Sequence, residues 1–75
     1  MTILLFGQLA DIIGTSKMIL ENIEDTHSLT GKLHQQFPAL AKSKYIIAVD
    51  KKVISENTIL NNNCTVALLP PYSGG

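Results

Sequence analysis

The residues of this chain that could do chemistry lie at its end, in the segment VALLPPYSGG. Gly74 and Gly75 carry no side chains, so their backbone can enter a channel that is too narrow for any other residue. The group that remains to react there is the terminal carboxylate. We therefore predict that Gly75 is the reacting residue and that it is presented to another protein.

Two prolines stand between the last apolar run and the glycines. They lack an amide hydrogen and disfavour a helical residue before them, so they end strand pairing and direct the chain away from a sheet. A Gly-Gly end alone is more often a disordered terminus, and the prolines reverse that expectation. We predict a folded domain over residues 1–69 and an extended tail over residues 70–75, which would reach roughly 20 Å at about 3.3 Å per residue. The residues expected to enter a partner's channel with Gly75 are Pro70, Pro71, Tyr72, Ser73 and Gly74.

Other reactive side chains are few and isolated. Cys64 is the single cysteine, which excludes an internal disulfide, and it has no evident His or Lys partner, so we interpret it as structural. His27 and His34 have no cysteine or carboxylate at ligand spacing, which predicts no metal site. No Ser, His and Asp arrangement and no phosphate-binding loop occurs. We expect a chain that is not catalytic alone and binds no cofactor itself.

The composition is that of one small packed domain. The 75 residues are 45% hydrophobic and 16% charged, which argues against disorder. Six lysines, mostly scattered, balance six acidic residues and arginine is absent, so no nucleic-acid surface is predicted. Gln8 and Asp11 interrupt the first apolar run, which does not resemble a signal peptide, and no segment approaches the roughly 20 apolar residues of a membrane helix. We expect a cytoplasmic protein without membrane contact.

Hydrophobic periodicity predicts the order of the secondary-structure elements. Short apolar runs predict strands, and the helical spacing of Leu29, Leu33 and Phe37 predicts one main helix that Pro38 ends. The predicted strands cover residues 2–6, 17–22, 45–49, 53–55 and 64–69, and a short helix covers residues 7–14. The order is typical of an α+β fold, with the apolar first and last strands in the middle of a mixed sheet of about five strands. This pattern predicts a ubiquitin-like β-grasp with one main helix and a short helix after the first strand.

The sequence leaves two alternatives for the residue that caps the main helix and two for the buried residue of a loop. Thr26 or Ser28 can cap the main helix, because both carry a hydroxyl that accepts a hydrogen bond from a helical amide. The polar stretch before the last strand has one apolar residue that we expect to be buried, either Ile59 or Leu60.

One helix cannot cover both faces of the two central strands. Phe6 and Leu69 alternate away from Leu5 and Leu68, which we expect to face the helix. An apolar sheet face left open is a binding surface, and we predict that Phe6 and Leu69 contact a partner. The alternative is that loops cover these side chains as part of the core.

Three segments, LLFGQLADIIGTS, AVDKKVI and LNNNCTVALLPPYSGG, resemble the ubiquitin-like sulfur carriers. The resemblance covers nearly the whole chain and is closest to the small subunits of molybdopterin synthase, the MoaD type. Val53 matches a further position of the surface on which that family docks its large subunit. One turn departs from the family: Asn63 stands where relatives have a glycine, and we expect it to take a left-handed conformation.

The resemblance implies a reaction at Gly75. An adenylating activating enzyme would use ATP on its carboxyl group, and sulfur from a persulfide donor protein would displace AMP to leave a thiocarboxylate. On the large subunit of molybdopterin synthase, in a heterotetramer, that sulfur would be donated to cyclic pyranopterin monophosphate to form the dithiolene of molybdopterin. Three alternatives remain: a sulfur carrier for thiamin-thiazole synthesis, a protein modifier that joins Gly75 to lysines, and an interaction domain with an inert tail.

Overall fold

The computed structural model describes residues 1–71. Its strands are β1 (Thr2–Leu5), β2 (Lys17–Ile19), β3 (Ile46–Val49), β4 (Lys52–Ile54) and β5 (Thr65–Leu69), and its helices are α1 (Gln8–Ile13), α2 (Thr26–Gln36) and α3 (Pro38–Ala41). None of these helices is long and apolar enough to cross a membrane. The predictions for Tyr72, Ser73, Gly74 and Gly75 lie outside the described residues.

The five strands form one mixed sheet in the order β2-β1-β5-β3-β4. β1 and β5 lie parallel in the middle, with Ile3 opposite Val66 and Leu5 opposite Leu68. The pairs β1–β2, β3–β4 and β3–β5 are antiparallel. Apart from Thr2 and Thr65, these two strands are apolar on both faces, as burial in the middle of a sheet requires. The predicted α+β fold, a β-grasp with a five-stranded mixed sheet, is confirmed.

One hydrophobic core lies between the sheet and the helices. Its fully buried side chains are Ile3, Leu9, Leu29, Leu33, Leu40, Val66 and Leu68. Phe37, expected on the same helical face, is only partly buried and forms the C-cap of α2. Pro38 ends α2 as predicted and then starts α3, where a missing amide hydrogen costs nothing at the first helical position. Leu40 therefore reaches the core from a separate short helix.

The N-terminus of α2 is capped by a residue that the sequence analysis did not choose. Asp25, in extended conformation, accepts a 2.8 Å hydrogen bond on Oδ1 from the amide of Ser28. Thr26 is instead the first helical residue, and its buried hydroxyl donates to Asn57 Oδ1 over 3.1 Å. The expectation of a Thr26 or Ser28 cap is wrong, because the hydroxyl of Thr26 is used to hold a distant loop.

The structure decides two further predictions, one about the buried residue in the loop before β5 and one about the backbone conformation of Asn63. Of the two candidates for the buried loop residue, Leu60 is 5% exposed and Ile59 is 79% exposed. Asn63 does not adopt a left-handed conformation, since positive φ angles at residues other than glycine occur, within residues 1–71, only at Asn22, Asp50 and Lys51. The turn closes without one because Asn61 Oδ1 accepts a 2.8 Å hydrogen bond from the amide of Asn63.

Candidate functional site

The tail leaves the sheet next to the turn between β1 and α1. The amide of Phe6 donates to the carbonyl of Leu68 over 3.2 Å. This hydrogen bond continues the pairing of β1 and β5 almost to the prolines. Pro70 then lies against Gly7: a Cβ atom added to Gly7 would be 3.0 Å from Pro70 Cγ. Gly7 has φ 57° and ψ −138°, a backbone conformation that side chains strongly disfavour. Gly7 thus makes both the turn and the room for the start of the tail.

Gly7 is a positioning residue that the sequence analysis missed. The sequence signal was present, because a glycine between a strand and a helix marks a sharp turn or a close backbone approach. A local sequence pattern does not show which distant residue packs against Gly7. Pro70 is 63 residues away in the sequence and is brought to Gly7 only because β1 and β5 are parallel neighbours.

The face of the sheet opposite the helices is apolar and open. Strand register places Leu4, Ala67, Ala48 and Val53 in one row across four strands. Val53 is 67% exposed, although it lies in a strand. A second row continues β1 and β5 and consists of Phe6, which is 44% exposed, Leu69 and Ile46. We call the exposed side chains of Phe6 and Val53 and the partly buried side chain of Leu69, with the strand residues between them, the open face.

The open face holds a depression of about 500 Å³ that all three predicted contact residues line. Phe6 and Leu69 lie beside each other and Val53 lies on the far strand, so the structure brings them onto one surface. Their contact with a partner stays a prediction. The shape is shallow and apolar, which suits an apolar side chain of another protein better than a polar small molecule.

Asp50 and Lys51 form the charged rim of this depression. Both have positive φ angles, 48° and 72°, and they make the tight turn between β3 and β4. Asp50 Oδ1 accepts a 2.9 Å hydrogen bond from the amide of Thr65, which ties the turn to β5. Lys51 is exposed and adds a positive charge to the rim.

The remaining candidate residues do not form a second reactive centre. Cys64 is 6% exposed, and its carbonyl accepts a 3.1 Å hydrogen bond from the amide of Thr2. A buried position agrees with the structural interpretation of this side chain, which stays a prediction. His34 Nε2 lies 2.7 Å from the hydroxyl of Tyr45, and burial raises the pKa of Tyr45. His27 is exposed on α2. Within residues 1–71, no group of three histidine, cysteine or carboxylate side chains is placed to hold a metal ion.

Comparison with known proteins identifies the family of the whole chain. The model of the ThiS family matches residues 3–75. The chain belongs to the ThiS family. ThiS-family proteins are ubiquitin-like sulfur carriers that work with partner enzymes, so the coarser part of the resemblance found in the sequence is confirmed.

The ThiS-family chain is also similar to a solved structure, the solution structure of the small archaeal modifier protein 1 (SAMP1) from Methanosarcina acetivorans. Sequence identity is 24%, and the TM-score is 0.80 over 99% of this chain and 94% of that one. At this identity the similarity establishes the fold, the ubiquitin-like β-grasp.

Proposed function

We propose that this ThiS-family chain carries sulfur as a thiocarboxylate on Gly75 and acts as the small subunit of a molybdopterin synthase. The family supports sulfur carriage, and the LLFGQLADIIG opening and the double proline favour the molybdopterin type over the thiazole type. The large subunit of the synthase would dock on the open face, while the tail from Pro70 to Gly75 would enter its active site.

The observation that carries this proposal is the position of Leu69. It is the last residue of β5, it lines the apolar depression beside Phe6, and it directly precedes Pro70. A partner bound on the open face is therefore already at the point where the tail begins. The six residues that follow Leu69 span roughly 20 Å when extended, which is enough to reach an active site inside that partner.

The chemistry assigned to Gly75 follows from the weakness of a carboxylate as an electrophile. An activating enzyme would transfer AMP from ATP to the carboxylate and release pyrophosphate. The terminal sulfur of a persulfide would then attack the carbonyl carbon, and AMP would leave with the electron pair of the broken C–O bond. A thiol would reduce the resulting acyl disulfide to the thiocarboxylate. The activating enzyme uses the ATP, and the carrier itself supplies only Gly75.

Sulfur transfer would then take place in the synthase. The Gly75 thiocarboxylate would donate its sulfur to cyclic pyranopterin monophosphate, and two carriers would supply the two sulfur atoms of the dithiolene. Proton transfers and binding of the substrate phosphate would be functions of the large subunit. The apolar depression lined by Phe6, Val53 and Leu69 supports this division of labour, because it offers a surface on which the large subunit could dock.

A second function, protein modification, is favoured by one observation. The chain has the fold of SAMP1, whose name describes a modifier, with a TM-score of 0.80. In that function the adenylated Gly75 would be attacked by a lysine amine rather than by a sulfur atom. The thiazole-type carrier remains the alternative within the family.

The three functions are distinguished by the acceptor that consumes activated Gly75. We would supply thiocarboxylated carrier to a molybdopterin synthase large subunit with cyclic pyranopterin monophosphate, and separately to a thiazole synthase. In parallel, carrier, activating enzyme and ATP would be added to cell protein. We expect molybdopterin in the first reaction. Thiazole phosphate alone, or lysine conjugates that disappear when Gly75 is deleted, would assign one of the other functions.

A further inference from the structure

Strand β2 leaves one edge of the sheet unpaired, because it is the first strand in the order β2-β1-β5-β3-β4. Its inner side is bonded to β1: the amide of Leu20 donates to the carbonyl of Met1 over 3.0 Å, and the amide of Leu5 donates to the carbonyl of Ser16 over 2.9 Å. In an antiparallel pair these bonds involve every second residue. The backbone groups of the alternate strand residues Lys17 and Ile19 therefore point outward, and the same alternation, continued past the end of β2, directs those of Glu21 outward.

The side chains of these three residues make the edge self-complementary. Ile19 is 59% exposed, although it lies within a strand, and Lys17 and Glu21 are exposed on either side of it. The three share the face of the sheet that the helices leave open, because Ile19 lies opposite Thr2 and Lys17 lies opposite Leu4. A positive charge and a negative charge are thus placed symmetrically about an exposed apolar residue.

We propose that β2 pairs antiparallel with β2 of a second copy of this chain, about a two-fold axis at Ile19. Ile19 then lies opposite Ile19 of the second copy, and Lys17 lies opposite Glu21 of the second copy, twice by symmetry. The outward amides and carbonyls of these residues form the inter-strand hydrogen bonds. On the other face, Met18 lies opposite Leu20 of the second copy, and both are partly buried against the core.

Thr15 partly covers this edge but does not close it. Its hydroxyl donates to the carbonyl of Lys17 over 3.0 Å and accepts from the amide of Lys17 over 3.4 Å. The carbonyl keeps a second lone pair for another donor, and the long amide contact is weak enough to be exchanged. Ile19 has no such cover in the described fold.

The symmetry of the pair determines what stays accessible. Side chains directly opposite each other in an antiparallel pair lie on the same face of the sheet. The two-fold axis that relates the copies is therefore perpendicular to the sheet, and both copies expose their open faces on the same side. The result is a continuous ten-stranded sheet in which both β2 edges are paired and the two β4 strands lie at its ends. Phe6, Val53 and Leu69 remain available in each copy, so this inference goes beyond the proposed function without competing with it.

The pair is expected to be weak. The segment 17–21, of which the first three residues form β2, would extend about 17 Å when paired, and the edge contact is smaller than the roughly 1,200 Å² that stable interfaces bury. Edge lysines normally oppose such pairing, and here the opposing glutamate removes the repulsion. We expect a dissociation constant of the order of 0.1–1 mM, which calls for a measurement at high concentration.

Sedimentation equilibrium of the isolated full chain up to about 2 mM, together with amide NMR shifts over the same range, tests the pair. We expect a monomer–dimer equilibrium with concentration-dependent shifts centred on residues 16–21. Lys17→Glu and Glu21→Lys should each weaken dimerisation at least ten-fold by placing like charges opposite, and the double variant should restore it. Ile19→Thr keeps a β-branched strand residue and should also weaken the dimer.

The matched controls change the same charges elsewhere on the surface. Lys32→Glu, on the exposed part of α2, and Glu56→Lys, in an exposed loop, alter net charge equally and should leave the equilibrium unchanged. A monomer at every concentration would overturn the proposal, as would an edge that pairs only with a segment of another protein. A dimer insensitive to Lys17→Glu, or a double variant that does not recover, would also overturn it.

Discussion

Pro70 Cγ lies 3.0 Å from the position that a Cβ atom would take on Gly7. The first residue of the tail therefore rests on the turn that follows the first strand, and the direction in which the tail leaves depends on a glycine at the other end of the chain. This contact links the turn after β1 to the start of the tail, which in the proposed function delivers Gly75.

Replacing Gly7 tests that link. Gly7→Ala adds a Cβ against Pro70 and imposes φ 57° on a residue that disfavours it, so we expect the free energy of unfolding to fall by about 1–3 kcal/mol. Denaturant unfolding would measure this. Gly31→Ala is the control, because Gly31 lies in α2 with open space around it and alanine should stabilise the helix by about 0.5–1 kcal/mol. Equal effects of the two changes would contradict the role given to Gly7.

The open face is tested by placing a charge on it. Val53→Asp puts a carboxylate on the proposed docking surface, and we expect affinity for the large synthase subunit to fall about ten-fold or more. Titration calorimetry with purified subunits would measure it. Ile59→Asp changes another exposed apolar residue, 79% accessible against 67% for Val53, that does not line the depression. If both variants bind as the parent chain does, the docking surface lies elsewhere.

Cys64 provides a test of which group carries the sulfur. Cys64→Ala removes the single thiol of the chain, and we expect sulfur loading of Gly75 to continue at an unchanged level per folded molecule. The buried position predicts a loss of stability of about 1 kcal/mol from the missing sulfur atom. Loss of sulfur loading in a folded Cys64→Ala protein would show that the thiol takes part in the reaction.

Asp25 makes stability depend on pH. Hydrogen bonds from Ser28, and then from Asn57, hold the pKa of Asp25 below its usual value. A lowered folded-state pKa means that the stabilisation is fully present above the unfolded-state pKa of about 3.9 and is lost as pH falls through the folded-state pKa. We expect wild type to be more stable than Asp25→Asn at pH 7 and the difference to shrink below about pH 4. A difference independent of pH from 7 to 2 would exclude this role of the carboxylate.

Much of this fold follows from local patterns in the sequence. The apolar runs of β1 and β5 place these strands in the centre, and Gly14, with φ 91°, ends α1 in the left-handed conformation that glycine adopts readily. Pro38 ends α2 at Phe37. Each of these features depends on near neighbours in the chain, which is why periodicity and turn residues were sufficient.

The sequence did not determine features in which several nearby residues are equally suitable and a contact with a distant residue selects one of them. Asp25, Thr26 and Ser28 are all good capping residues, and the selection of Asp25 depends on Asn57, whose Nδ2 donates to Asp25 Oδ2 over 3.2 Å. Ile59 and Leu60 are equally apolar, and packing alone buries Leu60. The contact of Gly7 with Pro70 and the row from Leu4 to Val53 likewise depend on strand order, which no local pattern contains.

The measurement that tests the central claim most directly is the intact mass of the carrier after incubation with ATP, a persulfide donor and its activating enzyme. Fragmentation of the C-terminal peptide would locate any change, and a chain lacking Gly75, which should fold normally, serves as the control. We expect one oxygen atom exchanged for sulfur at Gly75 and no change in the truncated chain. An unmodified Gly75 in the presence of a competent activating enzyme would contradict sulfur carriage by this chain.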